Sequence, residues 1–234
     1  MKTKEFCIQP VMSRESISII KGCRDTNLSS KFSKEPEENC IPIGSIEYCE
    51  NSSVLKNKKN KIVNFYPNCL SKLISRTLLL NNFKRNKTSL CEKELFIKDA
   101  EVWKNDKYSK IFNINEYSFE DLDNWFYVST KVNFIKEWRY YIAYGQVLDS
   151  GIYAGEEENE NIEGPDFPIK LPNDFFGAVD LGLLDTGKLE LVEAHPPFAC
   201  GFYSEKCDAY TYWMYLSWEN CNSINKWMNY FYNQ

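Results

Sequence analysis

Residues 176–195 read F-G-A-V-D-L-G-L-L-D-T-G-K-L-E-L-V-E-A-H. Two apolar runs, Phe176–Leu181 and Lys188–Glu193, flank the turn Asp185-Thr186-Gly187, a pattern that predicts an antiparallel hairpin. Asp180 sits in the first strand and Glu193 ends the second. When the turn pairs these strands, both acids come to one end of a sheet. Two carboxylates projecting together repel unless a cation sits between them. Oxygen ligands of this kind suit Mg²⁺, which also keeps waters and substrate phosphates in its shell. His195 lies two residues beyond Glu193, so in extended chain it points to the same side.

Two acids on a hairpin are commonplace; the residues upstream give these two a chemistry. Glu137–Ala143 and Gln146–Tyr153 form a second expected hairpin around Tyr144-Gly145. Glu137 and Arg139 flank Trp138 on its first strand, so both face one cleft. Glu94–Ile97 is a short apolar strand closing at Lys98, where a buried ammonium is costly unless an anion meets it. Trp125–Ser129 reads as another strand. A lysine, an arginine and two acids on separate strands can clamp a metal-bound triphosphate: the cations hold phosphate oxygens and the acids hold Mg²⁺.

Farther out, Glu5–Val11 reads as a strand that Pro10 limits to an edge or an end. Ser13 caps a helix running to Ile20. The polar stretch Asp25–Cys40 reads as a loop and Ile41–Tyr48 as strand-like. Residues 68–80 carry Leu70, Leu73, Ile74 and Thr77 at helical spacing, which predicts a helix bearing Arg76. The Ala209–Tyr232 tail reads as amphipathic helix packing over the sheet, with Tyr210, Trp213, Trp218 and Trp227 as core or interface. The lysines of 56–61 and the acids of 156–163 read as solvated loops.

Composition bounds these readings. At 234 residues the chain makes one compact domain or two closely joined lobes. Its 43% hydrophobic and 26% charged residues exclude disorder for most of the length. A net charge of −5 argues against nucleic-acid binding through an electrostatic field, leaving the 56–61 lysines as the sole basis for such a reading. No apolar stretch approaches a membrane span, and the N-terminal residues lack the apolar core of a secretory leader. The nine cysteines are odd in number, dispersed and without a C-x-x-C pair, which implies reduced thiols and a cytoplasmic location.

The order F-I-K (96–98), V-S-T-K-V (128–132), E-W-R-Y-Y-I-A-Y-G-Q-V (137–147), A-V-D-L-G (178–182) and L-V-E-A-H (191–195) resembles the ATP-grasp superfamily, most of all its small members in bacteria and viruses. I-P-I-G-S-I-E (41–47) resembles a segment of the same proteins. The resemblance is firm over residues 94–203. It implies an α+β fold, in which two α/β lobes with mainly antiparallel sheets clamp a nucleotide behind a small N-terminal α/β segment. The expected division is an N-terminal lobe at 1–93, with central and C-terminal lobes at 94–234.

The implied cofactors are ATP and Mg²⁺. The implied reaction is ligation: a small-molecule or peptide carboxylate becomes an acyl-phosphate and is attacked by an amine or thiol acceptor, with no membrane partner. Residue by residue, Lys98 would contact the α/β phosphates and Thr130, Lys131 and Val132 would read the adenine edge. Glu137 would hold the ribose hydroxyls, and Arg139 would steer the transferring phosphoryl group. Asp180 and Glu193 would hold Mg²⁺. His195 stands where the superfamily carries a metal-binding asparagine, and imidazole prefers borderline metals to Mg²⁺. Lys104–Lys110 lies where many relatives carry a glycine-bearing flap; here glycine is absent, and Lys104 or Lys107 would reach a phosphate instead. The alternative function is a non-catalytic ATP-binding protein, as in the eukaryotic ATP-grasp chaperone that assembles a translation initiation factor.

Overall fold

A computed structural model describes residues 5–52, 65–85, 94–101, 106–113, 123–155, 163–197 and 200–220. The chain opens with β1 (Glu5–Ile8), α1 (Arg14–Thr26), β2 (Ser29–Phe32) and β3 (Cys40–Ile43). Both β2 and β3 pair with β1 in parallel, giving a three-stranded sheet of order β2-β1-β3. Ser13 caps α1 as expected: its side chain accepts from the Ser16 amide, while the Ser16 hydroxyl accepts from the Ser13 amide. Asn27 ends the helix in the left-handed region at φ 57°. The loop expected over Asp25–Cys40 thus contains β2, and the strand expected over Ile41–Tyr48 stops at Ile43 before the short α2 (Ile46–Glu50).

The segment 68–80 departs from its expected helix. Asn68–Leu73 is a 3-10 helix, and Leu78–Asn81 is β4, paired antiparallel with β7 (Phe126–Thr130). Bonding to β7 wins over the helical spacing of the leucines. Between them in the chain lie β5 (Glu94–Asp99) and β6 (Lys110–Asn113), and the four strands form one antiparallel sheet of order β4-β7-β5-β6. This sheet draws a strand from either side of residue 93.

A second antiparallel sheet follows, of β8 (Phe134–Ala143), β9 (Gln146–Ala154), β10 (Gly177–Leu184) and β11 (Leu189–His195), in the order β11-β10-β8-β9. Both hairpins form where expected. The β8–β9 turn places Tyr144 at φ 53° and Gly145 at φ 68°, the paired positive angles that a tight hairpin turn demands. A β-carbon on Gly145 would also lie 2.4 Å from the Pro172 carbonyl oxygen.

Alternation along β8 and β10 feeds two cores. Tyr141 and Ala178 join Phe6, Ile19 and Ile41 on one face, under α3 (Cys207–Glu219) with its buried Tyr210, Trp213 and Trp218. Tyr140, Ile142, Val179 and Leu181 face the other way, against Leu70 and Tyr127. Helix α3 crosses α1 closely at Gly22, where a β-carbon would meet Thr211 Oγ1 at 2.1 Å. Full burial of each large side chain contributes roughly 1.5–3 kcal/mol, so these two cores weld the N-terminal sheet, α3 and the β4 region onto the β8–β11 sheet. No described helix is long and apolar enough to cross a membrane.

Candidate active site

Strand register assembles the site. Arg139 on β8 is paired with Asp180 on β10, which is paired with Glu193 on β11. Three charged residues therefore stand side by side across three strands. His195, opposite Ala178, lies one step along the same face. Arg139 donates from Nε to Asp180 Oδ1 at 2.8 Å and from Nη2 to Oδ2 at 2.7 Å. His195 Nε2 lies 2.9 Å from Asp180 Oδ2, 2.9 Å from Glu193 Oε1 and 3.1 Å from Arg139 Nη2. Lys98, reaching across from β5, brings its ammonium onto the Glu193 carboxylate and over the Phe65 ring, 3.8 Å from its centroid.

Burial alone would raise the Asp180 carboxyl, but Arg139 and His195 hold it well below the usual carboxylate range. For Arg139, burial opposes charge and Asp180 outweighs it, so the guanidinium stays ionised. Burial and the neighbouring Arg139 push His195 down to about 4, so the imidazole is neutral at pH 7. Burial pushes Lys98 down to about 7, with the Asp180 charge opposing that fall and Arg139 adding to it. Burial and the Asp180 charge push Glu137 up to about 7.

Beside this row lies a cavity of about 400 Å³, within the usual range for small-molecule sites. Lys98, Thr130, Lys131, Val132, Glu137 and Glu193 all line it, together with the apolar Phe96, Ile111, Phe134 and Val192. The structure thus brings together six of the residues that the sequence marked. Arg139 and Asp180 are not in the lining: they stand in the wall behind it, 4% and 0% exposed. Lys131 pairs on the surface with Glu94 at 3.1 Å. Lys104 lies outside the described residues, as do the 56–61 lysines, most of the 156–163 acids and Trp227.

Three features escaped the sequence. Tyr153 and Tyr203 flank the Arg139 guanidinium, with centroids 4.8 and 5.0 Å from Cζ. No local pattern joins these two tyrosines; the fold does. Second, Tyr153 lines the large cavity, whereas Tyr203 lines a smaller one of about 200 Å³ with Glu15, Gly44, Ser45 and Gly201. The Arg139 guanidinium, which lines neither cavity, therefore lies against one tyrosine from each. Third, Arg76 is not on a helix. It lies just before β4, lines the large cavity and forms a buried pair with Glu190, Nη1 to Oε1 2.7 Å.

Asp180, Glu193 and His195 offer ligand atoms that all lie within 4.8 Å of one another. Two carboxylates and a neutral imidazole fit a divalent cation by the chemistry of their donors. A family model described as "ATP-grasp domain, R2K clade family 2" matches residues 74–213, more than half of the chain. The chain belongs to the R2K clade of ATP-grasp domains.

Solved structures agree with this ATP-grasp assignment at the level of fold. A RimK domain protein ATP-grasp from Sphaerobacter thermophilus DSM 20745 superposes with a TM-score of 0.53 at 8% identity, covering 90% of this chain and 99% of that one. D-cycloserine synthetase DcsG gives 0.51 at 10% identity over 92% and 99% of the two chains. The ATP-grasp ligase PsnB, complexed with minimal precursor, gives 0.51 at 9% identity over 92% and 100%. No curated protein matches the chain in sequence. The expected α+β ATP-grasp fold is the fold found.

Proposed function

We propose that this ATP-grasp protein is a metal- and ATP-dependent ligase that activates a carboxylate as an acyl-phosphate for attack by an amine or thiol. The observation that carries this reading is the cluster of Asp180, Glu193 and His195 ligand atoms beside a cavity that Lys98, Glu137 and Glu193 line. In this reading the larger cavity takes ATP. Its apolar residues Phe96, Ile111, Phe134 and Val192 receive the adenine, and the chain at Thr130–Val132 meets the base edge. Glu137 accepts from the ribose hydroxyls. Lys98 holds phosphate oxygens once it leaves Glu193. The smaller cavity takes the carboxylate, and Tyr153 and Tyr203 keep the Arg139 guanidinium aligned between the two.

Asp180, Glu193 and His195 would hold the divalent ion, which when bound offsets charge on the phosphates. Lys98 and Arg139 pair with the two carboxylates of the row, so its own charges balance, and the charge the ion adds is matched by the phosphates. Fixed donors facing the developing charge are worth more in this dry site than in water. In the same reading residues 1–93 form the N-terminal lobe, lending β4 to the central sheet, and 94–234 form the central and C-terminal lobes. The seven described cysteines are free thiols, which supports a cytoplasmic location.

The test is ATP turnover in a mixed pool of amino acids, peptides and polyamines, with mass spectrometry for a condensed product. Glu193→Gln is expected to abolish turnover while the protein stays folded; unchanged ATP consumption would reject the role given to Glu193. One observation favours a second reading, a non-catalytic ATP-binding assembly protein: Arg139 is doubly bonded to Asp180 and lies behind the cavity lining. Tight metal-ATP binding without ADP release in the same pool selects that reading.

A further inference from the structure

We infer that His195 makes the cation site of this protein selective for a borderline divalent ion such as Mn²⁺ over Mg²⁺. The inference rests on the ATP site proposed above and adds the identity of its ion. Its basis is the triangle around His195 Nε2. That nitrogen lies 2.9 Å from an oxygen of each of two carboxylates and 3.1 Å from an Arg139 nitrogen. Carboxylates at neutral pH only accept hydrogen bonds, and arginine only donates. A neutral imidazole nitrogen either carries a proton or does not. With the proton it opposes the arginine; without it, its lone pair faces two carboxylate oxygens. Neither tautomer satisfies all three contacts.

A cation among Nε2, Asp180 Oδ2 and Glu193 Oε1 removes the conflict. The proton then resides on Nδ1, the Nε2 lone pair points at the ion, and Arg139 continues to orient Asp180 through both of its bonds. Asp180 is thus placed by Arg139, which acts as a positioning residue for the site. A donor set of two oxygens and one imidazole nitrogen follows the usual preference of first-row transition ions, whereas Mg²⁺ favours an all-oxygen octahedron. Burial strengthens the preference, because His195 is 6% exposed and has little room to swing aside and leave its place to water.

The chain contains one histidine, so an imidazole signal from the folded protein has a single source. The full chain is loaded with Mn²⁺, with and without ADP, and examined by pulsed electron paramagnetic resonance. The expected result is modulation from a directly bound ¹⁴N that changes to the ¹⁵N pattern when only histidine is ¹⁵N-labelled. Competition by Mg²⁺ is measured alongside, and His195→Asn is expected to lower the Mn²⁺:Mg²⁺ affinity ratio at least about tenfold. Mn²⁺ bound through oxygen alone in the wild-type protein, or an unchanged ratio in His195→Asn, overturns the selectivity and leaves the ATP-site reading standing. Absence of Mn²⁺ binding under both conditions overturns both. The isotope measurement needs no variant, so a misfolded His195→Asn does not blunt the test.

Discussion

Two buried arginine–carboxylate pairs have their carboxylates on the β8–β11 sheet, and they differ in what surrounds them. Arg76 and Glu190 form a closed pair. The Arg76 guanidinium also donates to the Leu191 and Val192 carbonyls, and the Ser75 hydroxyl donates to Glu190. Burial works against the Glu190 charge, but Ser75 and Arg76 overcome it and hold the carboxyl below its usual range. The pair ties the chain before β4 to β11. Arg139 and Asp180 form an open pair, joined by a second carboxylate, an imidazole and an ammonium. A fold that needed only an anchor would stop at the first arrangement. The second concentrates charge beside a cavity, and such concentration is costly unless a ligand exploits it.

The comparison breaks most visibly through turnover. In Glu193→Gln the open cluster loses one negative charge but keeps its shape, so ATP turnover is expected to fall on the order of 10³-fold. Its melting temperature is expected to stay within a few degrees of the wild type, because Glu193 borders the cavity and its amide can still bond. A collapse of stability equal to the loss of turnover would make the open cluster an anchor like the other.

Glu190→Gln probes the closed pair in the opposite sense. It leaves the Arg76 charge buried beside a neutral amide, at a cost of about 3 kcal/mol, read by denaturant unfolding at pH 7. Because the folded-state carboxyl of Glu190 is depressed, its contribution is present above the unfolded value and fades as the pH falls. The difference between Glu190→Gln and wild type is therefore expected to shrink in acid. The double variant Arg76→Met/Glu190→Leu is expected to recover about 2 kcal/mol of that loss, since a well-packed apolar pair often replaces a buried ion pair without penalty. Failure to recover would show that the bonds from Arg76 to the Leu191 and Val192 carbonyls carry the anchor.

What the sequence revealed of this contrast was local. The Asp185–Gly187 turn and its alternating flanks give the hairpin, and the two-residue step from Glu193 to His195 puts both on one face. A bulge between Asp180 and Leu181, which periodicity does not state, shifts the register so that Asp180 stands level with Glu193 and not Val192. The pairing of Arg139 with Asp180 spans 41 residues and depends on β8 lying beside β10, which no local pattern states. Tyr153 and Tyr203 are invisible for the same reason. The 68–80 segment misleads because three leucines in a row, Leu78–Leu80, suit either period; bonding to β7 decides for strand. Edge strand β2, S-S-K-F, has no hydrophobic signature at all and exists because β1 offers it a ladder.

The smallest effect sharpens the comparison furthest, because it measures how far each pair's field reaches. Glu137 lies on the strand of Arg139, two residues away, and is pushed up to about 7 by burial first and the Asp180 charge second, with Arg139 opposing. An acid whose folded-state value lies above its unfolded one destabilises the fold progressively as pH rises from about 4.5 to about 7, and fully beyond. Glu137→Gln removes that penalty. The variant is expected to match the wild type near pH 4 and to exceed it at pH 8 by about 1–2 kcal/mol, a figure already reduced for the solvent that reaches this half-buried group. The measurement is the melting temperature against pH, without nucleotide. Repeating it in Asp180→Asn separates the two causes. If burial alone raises Glu137, the gain persists; if the open cluster projects its charge along β8, the gain shrinks, and the carboxylate that is to accept the ribose hydroxyls is tuned by the same residue that is to hold the ion.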